Sequence, residues 1–203
     1  MYEQKDLRSL TRAAAAALVA YILLDALVAL MAFASPQQPE GLPETPGSPA
    51  DFAVIGLAAA FLASVVLVGC WIYRANANAH ALSSGMTIRP GWAVGWFFVP
   101  FANLVMPYQA MKETWRESHE AAGLLEEAQS PIVGWWWGLW IAGNVLARLG
   151  FMFGARTDSP LAAAPYVDLA DAVLNGAAAI VLIRLMHRLG ETQRVARHAA
   201  AFL

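Results

Sequence analysis

The sequence predicts an all-α membrane bundle: four transmembrane helices, a proline-broken re-entrant hairpin and an amphipathic helix on the cytoplasmic surface. Three observations carry this. Hydrophobic residues make up 59% of the chain and charged residues only 14%, against roughly 25% charged in soluble domains. Four stretches, 13–34, 52–73, 131–153 and 161–184, are long and apolar enough to cross a hydrocarbon core about 30 Å thick, which takes roughly 20 helical residues. A fifth stretch, 92–108, is comparably apolar but is interrupted by Pro100 and Pro107. The 203 residues read as a single integral membrane domain.

The first span follows Lys5, Arg8 and Arg12 and ends at Ala32-Phe33-Ala34, which has the look of a signal-peptide cleavage site. Its apolar run is longer than such signals carry, and it contains Asp25, so it reads as a retained span. The next loop, Ser35–Asp51, is proline-rich and acidic, with Glu40, Glu44 and Asp51 and no lysine or arginine. Positive residues accumulate in cytoplasmic loops, so the amino terminus is expected inside and this loop outside. Arg74 and Arg89 after the second span return the chain to the inside, and Arg184, Arg188, Arg194 and Arg197 keep the far end there. Both termini are then cytoplasmic and the crossings even in number. Four crossings fit if 92–108 re-enters the same face, which also leaves Lys112 and Arg116 inside and Arg156 outside.

Backbone groups freed by prolines cannot face lipid unsatisfied, so the hairpin is expected to be covered by protein, with Asn103 bonding some of them. After it, Met111, Trp115, Ser118, Ala122 and Leu125 recur at helical spacing among charged neighbours. That pattern predicts a helix over about 109–128 lying on the inner membrane surface. In order along the chain stand Trp71 to Asn78 with Arg74-Ala75 inside it, Pro90-Gly91-Trp92, Gly95-Trp96-Phe97-Phe98-Val99-Pro100, Asn103-Leu104-Val105, Pro107-Tyr108 and Trp135-Trp136-Trp137. This order and spacing resembles the domain of unknown function 4328 family from about Phe52 to Arg184. The resemblance implies a bacterial integral membrane protein, hence the bacterial cytoplasmic membrane, and supplies no catalytic or ligand residues.

Charges inside the spans are the main candidates for a site: Asp25, Arg148, Asp168 and Asp171. Each costs about 2.5–3.5 kcal/mol at the middle of a membrane helix on insertion scales, so such residues face the bundle interior and find partners. At 1.5 Å per residue, Arg148 and Asp168 lie roughly 9 Å and 7 Å outward of their helix midpoints. Asp171 and Asn175 follow Asp168 on one face, and Asn144 precedes Arg148 by four residues, so two polar stripes are expected to meet. One arginine does not neutralise three aspartates. The functional reading is a proton- or cation-responsive cluster; the structural one is a lock between helices.

Gly91-x-x-x-Gly95, Gly134-x-x-x-Gly138 and Gly150-x-x-x-Gly154 allow close helix approach, within the chain or between two copies. Trp71, Trp92, Trp96, Trp115, Trp135, Trp136 and Trp137 are expected at the inner interface, as anchors or as a rim for lipid or another hydrophobic small molecule. His80, His119, His187 and His198 have no metal-ligand spacing, and in His119-Glu120-Ala121-Ala122-Gly123 a glycine stands where the zinc-protease motif has its second histidine. No metal or cofactor is expected. Cys70, alone in an apolar run, reads as a space-filler. A net charge of −2 leaves no basic face to track nucleic acid, and no nucleophile elbow or phosphate loop supports catalysis. The lipid bilayer is the certain partner; a membrane protein or a second copy is the other candidate. The sequence points first to an interaction or scaffold module, with a small transporter or channel and a lipid binder as alternatives.

Overall fold

The computed structural model describes residues 2–34, 47, 49–154 and 164–200. Most of the Ser35–Asp51 loop, including Glu40 and Glu44, lies outside these residues, as does Arg156. Among the described residues the fold is all-helical, without strands. Long helices α1 (Arg8–Ala34), α2 (Pro49–Leu82), α6 (Ile132–Gly154) and α7 (Ala164–Ala200) form the bundle, and short α3 (Pro90–Gly95), α4 (Met106–Ala121) and α5 (Leu125–Ala128) lie between α2 and α6. Helices α1, α2 and α7 are long and apolar enough to cross a membrane. Helix α6 is dense in tryptophan and carries Asn144 and Arg148, and it falls outside that group.

The long helices pack in the order α2, α1, α7, α6: α1 touches both α2 and α7, and α7 also touches α6. Leu23, Leu27, Leu30, Ile55, Leu62, Val66 and Val173 are exposed on the protein, leaving an apolar belt that only lipid would cover. Cys70 is exposed too, so its thiol fills no space in the core. Gly143 and Gly150 turn α6 toward α7. A Cβ on Gly150 would stand 2.7 Å from Val167 Cγ1, and one on Gly143 would stand 3.0 Å from Asn175 Oδ1. Gly91, Gly134 and Gly138 face open space, so of the three expected glycine motifs only the third contributes a glycine to this helix contact.

Helices α2 and α7 are longer than a bilayer crossing needs. Their 34 and 37 residues span about 51 and 55 Å at 1.5 Å per residue, well beyond a 30 Å core. The surplus carries Arg74 to Leu82 and Arg184 to Ala200, and against it α4 docks to form a polar cap. Pro107, Ala110, Met111, Thr114, Trp115 and Ser118 are buried there. The helix expected over 109–128 on a membrane surface thus has its apolar face covered by protein. It also ends early, because Gly123 at φ +76° breaks it and the Leu124 N–H bonds back to the His119 carbonyl at 2.8 Å. Leu125, assigned to the buried stripe, is exposed.

Between α3 and α4 the chain reverses. Two 3-10 turns, Trp96–Phe98 and Ala102–Leu104, flank Pro100 and Phe101, and both arms rest on α2. Gly69 of α2 lies against Val94, so the descending arm runs beside the apolar part of α2. On the other side Phe97 meets Trp137 and Trp140 edge to face, and the Trp137 indole N–H donates to the Leu104 carbonyl at 3.0 Å. The hairpin thereby wedges between α2 and α6. Its backbone satisfies itself: the amides of Ala102, Asn103, Leu104 and Val105 reach the carbonyls of Pro100, Val99, Phe101 and Ala102. The Asn103 side chain makes no hydrogen bond among the described residues, because local 3-10 bonding leaves it nothing to repair. Phe101, at φ +63° and 86% exposed, forms the tip with Phe98.

Candidate functional site

Two polar constellations lie at different depths of this bundle. The first is in the spans. Asp25 of α1 and Asp171 of α7 lie within electrostatic reach of each other and of Tyr21. Asp25 Oδ2 and Asp171 Oδ1 are both buried without a hydrogen-bond partner. The other Asp171 oxygen accepts from Asn175 Nδ2 at 2.9 Å. Asp168 is within reach of both carboxylates but exposed. Arg148 and Asn144 do not join them. Both are exposed, the Asn144 amide returns to the Trp140 carbonyl at 2.8 Å, and no described ion pair includes Arg148. The expected meeting of stripes fails for a geometric reason: with Gly143 set against α7, Asn144 is turned about 100° and Arg148 about 140° away, at 3.6 residues per turn.

The second constellation ties the cap together. The Asn78 side chain accepts from the Lys5 amide and donates to the Lys5 carbonyl, each at 2.9 Å, and donates to Gln193 Oε1 at 3.0 Å. Gln193 Nε2 donates to the Ala75 carbonyl at 2.8 Å and to Ser118 Oγ at 3.0 Å. Asn76 Nδ2 donates to Thr114 Oγ1 at 3.0 Å, and its own Oδ1 is buried without a partner. One network therefore joins the amino-terminal segment to α2, α4 and α7. Since Gln4 also accepts from Arg197 Nε at 3.0 Å, the two terminal segments lie side by side at one end of the bundle.

Carboxylates of α4 clamp the loop that feeds the hairpin. Glu113 accepts from the amides of Thr87 and Ile88. Glu117 accepts from the Ser83 hydroxyl at 2.5 Å and from Arg116 Nη2 at 2.7 Å. The Ser83 hydroxyl, with help from Arg116, holds the Glu117 carboxyl below the usual range despite its burial. Gly85 must be small, since a Cβ there would stand 2.3 Å from Glu117 Oε2.

His119 closes the cap on its α7 side. Its Nδ1 lies 2.8 Å from the Trp115 carbonyl, which only accepts, so Nδ1 carries a hydrogen. Its Nε2 lies 3.1 Å from Thr192 Oγ1, and its ring rests on the Trp115 indole at 4.1 Å between centroids. Burial pushes the His119 pKa down from its ordinary 6.5, and Arg188 adds to this against the opposing Trp115 carbonyl and Glu127. The unfolded chain then takes up the proton first as pH falls. His119 thus contributes stability that is present above about pH 6.5 and lost as pH falls through the lowered folded value. His119→Gln is expected to flatten the decline of the unfolding midpoint below pH 6.5, read by thermal scans in detergent from pH 8 to 5.

The tryptophans divide differently from the expected rim. Trp71, Trp115, Trp136 and Trp137 are core residues, while Trp135 is exposed and Trp92 stacks on the half-buried Trp96 at 4.5 Å. A buried indole needs an acceptor, and Thr11 Oγ1 serves Trp71 as the Glu127 carbonyl serves Trp115. Of the family-pattern residues, Asn78, Pro90 and Pro107 are buried, Tyr108 is half-buried, and Arg74, Gly91 and Pro100 are exposed. Gln193, Thr114 and Thr192 escaped the sequence reading, because single uncharged polar residues in a helix carry no pattern, and Ser118 entered it only as a member of the α4 stripe. Among the described residues, no group of three histidine, cysteine, aspartate or glutamate side chains is placed to hold a metal.

No curated protein and no solved structure matches this chain. The domain of unknown function DUF4328 matches residues 50–191, a stretch that holds the α2 partners of the cap, all of α4 and the whole hairpin, and that ends just before the α7 partners Thr192 and Gln193. The chain is a helical, membrane-type member of the DUF4328 family.

Proposed function

We propose that this protein is a proton- or cation-responsive membrane protein, of the transporter or channel class, whose sensing element is the Asp25–Asp171 pair. One observation carries the reading: a carboxylate oxygen from each residue is buried and without a hydrogen-bond partner, and among the described residues no arginine or lysine pairs with either. Two such groups within electrostatic reach of one another need a neutralising species, and a proton or a cation is the smallest that serves. Ionisable residues kept in a membrane interior at this cost mark ion pathways and proton relays. The absence of Arg148 from the pair weakens the alternative of a salt-bridged lock, which needs a counter-charge.

The topology that goes with it has four crossings, α6 being the fourth, in a bacterial cytoplasmic membrane with both termini cytoplasmic. The adjacent terminal segments support an even number of crossings. The 92–108 hairpin re-enters the bilayer, a reading supported by its exposed Phe98, Phe101, Leu104 and Val105 and by its Val94 against the apolar part of α2. A second reading, an interaction or scaffold module, is favoured by the locked cap. Its α4 presents Gln109, Lys112, Arg116 and Glu120 on a rigid outer face where a membrane protein partner or second copy can dock.

Flux in liposomes tests the first reading. Wild type is expected to pass protons or monovalent cations, and Asp171→Asn to reduce the rate at least tenfold. Correctly folded wild type without flux of either kind returns the protein to the interaction reading.

A further inference from the structure

At the cap end, a groove runs between the amino-terminal segment and the extension of α7. It consists of two adjoining cavities of about 250 and 240 Å³ that share Arg8 and Gly190 in their walls. Lys5, Arg8, Arg194 and Arg197 line the first cavity, and Arg12 adds a fifth cation in the second. Two carboxylates border the groove, and both are engaged. Asp6 accepts from the Arg8 amide at 2.9 Å, and Glu191 is paired with Arg194. Among the described residues, Lys5, Arg8, Arg12 and Arg197 form no ion pair. With five cations against these two carboxylates, the concave space keeps a net positive charge.

The depth of the groove identifies its occupant. The apolar run of α1 begins at Ala13, directly after Arg12, so Arg12 and Arg8 lie within about 7.5 Å of its edge at 1.5 Å per residue. The polar layer outside the hydrocarbon core is about 5–7 Å thick on each side. Arg12 and Arg8 thus stand at the level of lipid phosphates, with Arg194 and Arg197 further out along the same groove. From this juxtaposition we infer that the groove binds the phosphate of an anionic phospholipid headgroup, the acyl chains running down the exposed apolar faces of α1 and α7. Basic pockets between membrane helices capture such headgroups through charge and hydrogen bonds from arginine. The site is separate from the Asp25–Asp171 pair and does not rest on that reading. It needs only that α1 and α7 cross the bilayer.

Native mass spectrometry of the full chain, purified in detergent with equimolar phosphatidylglycerol and phosphatidylcholine, tests it. Phosphatidylglycerol is expected to be retained preferentially. In Lys5→Gln/Arg8→Gln/Arg12→Gln the preference falls roughly 100-fold, each cation near a headgroup being worth about a factor of five. These three side chains make no described hydrogen bond, so the helical circular dichroism of the variant should match wild type; Arg8→Lys/Arg12→Lys, which keeps the charge, retains the lipid if the variants fold. Three outcomes overturn the proposal. One is equal retention of the two lipids. Another is an equal loss in the control Arg89→Gln/Lys112→Gln, which would reveal diffuse attraction alone. The third is displacement of phosphatidylglycerol by millimolar inorganic phosphate, which would assign the groove to a soluble phosphate.

Discussion

Gln193→Glu is expected to destabilise the folded protein by about 3–5 kcal/mol, the cost of leaving a buried charge without its partner. Gln193 is 2% exposed and works as a double donor and an acceptor. Its Nε2 faces the Ala75 carbonyl and Ser118 Oγ, and its Oε1 receives the Asn78 amide. A carboxylate keeps the Asn78 bond but turns an anionic oxygen on the Ala75 carbonyl, which has no proton to give. Gln193→Leu removes the same donors without adding charge. It should cost less, about 1–3 kcal/mol for the polar groups it strands. The ranking can be read from unfolding midpoints in mixed micelles. The Glu variant should recover partly on acidification, since a protonated carboxyl has one O–H to offer the carbonyl. Equal stability of wild type and Gln193→Glu would mean that the cap is held by apolar packing around Trp71, Trp115 and Leu189, and that the network is incidental.

That network also marks where sequence reading loses resolution. Apolar run length located α1, α2 and α7 because hydrocarbon imposes a strong, one-dimensional requirement. Pro100 and Pro107 located the reversal for a similar reason, since proline cannot continue a helix ladder. The cap was invisible because its helices leave the bilayer and pack on protein. Arg74–Leu82 and Arg184–Ala200 are too polar to register as spans; the buried side of α2 there is lined by alanine and asparagine, and that of α7 mixes Leu185, Met186 and Leu189 with Thr192, Gln193 and Ala196. The stripe on α4 was legible, but periodicity alone does not say whether lipid or protein covers it. The rotation of Arg148 was not legible. Which way a membrane helix turns is set by its closest contacts, here Gly143 and Gly150 against α7, and those are tertiary facts. The tryptophans misled for the same reason: a composition typical of interfaces is also typical of a crowded junction between helices, and Trp136 and Trp137 serve the latter.

Asp25→Asn is expected to raise stability by about 1–3 kcal/mol while lowering flux, and this pairing separates a functional carboxylate from a structural one. A group kept to hold helices together is missed when it goes. A group kept for chemistry stands where the fold would do better without it, and its neutral replacement relieves the bundle. Asp25 fits the second description, because its buried Oδ2 bonds to nothing and its electrostatic neighbours include Asp168 and Asp171, which carry charge of its own sign. Asp171 differs in one respect, since its second oxygen takes the Asn175 amide. Asp171→Asn keeps an acceptor for that bond, so its stability should stay within about 1 kcal/mol of wild type, the typical net worth of one such hydrogen bond. Detergent unfolding of the two variants, run beside the liposome assay, gives both coordinates for each residue. Higher stability with lost flux in Asp25→Asn identifies a carboxylate kept for ion or proton handling. Lower stability would make Asp25 a helix lock after all, and the family would then be better approached through what binds its cap.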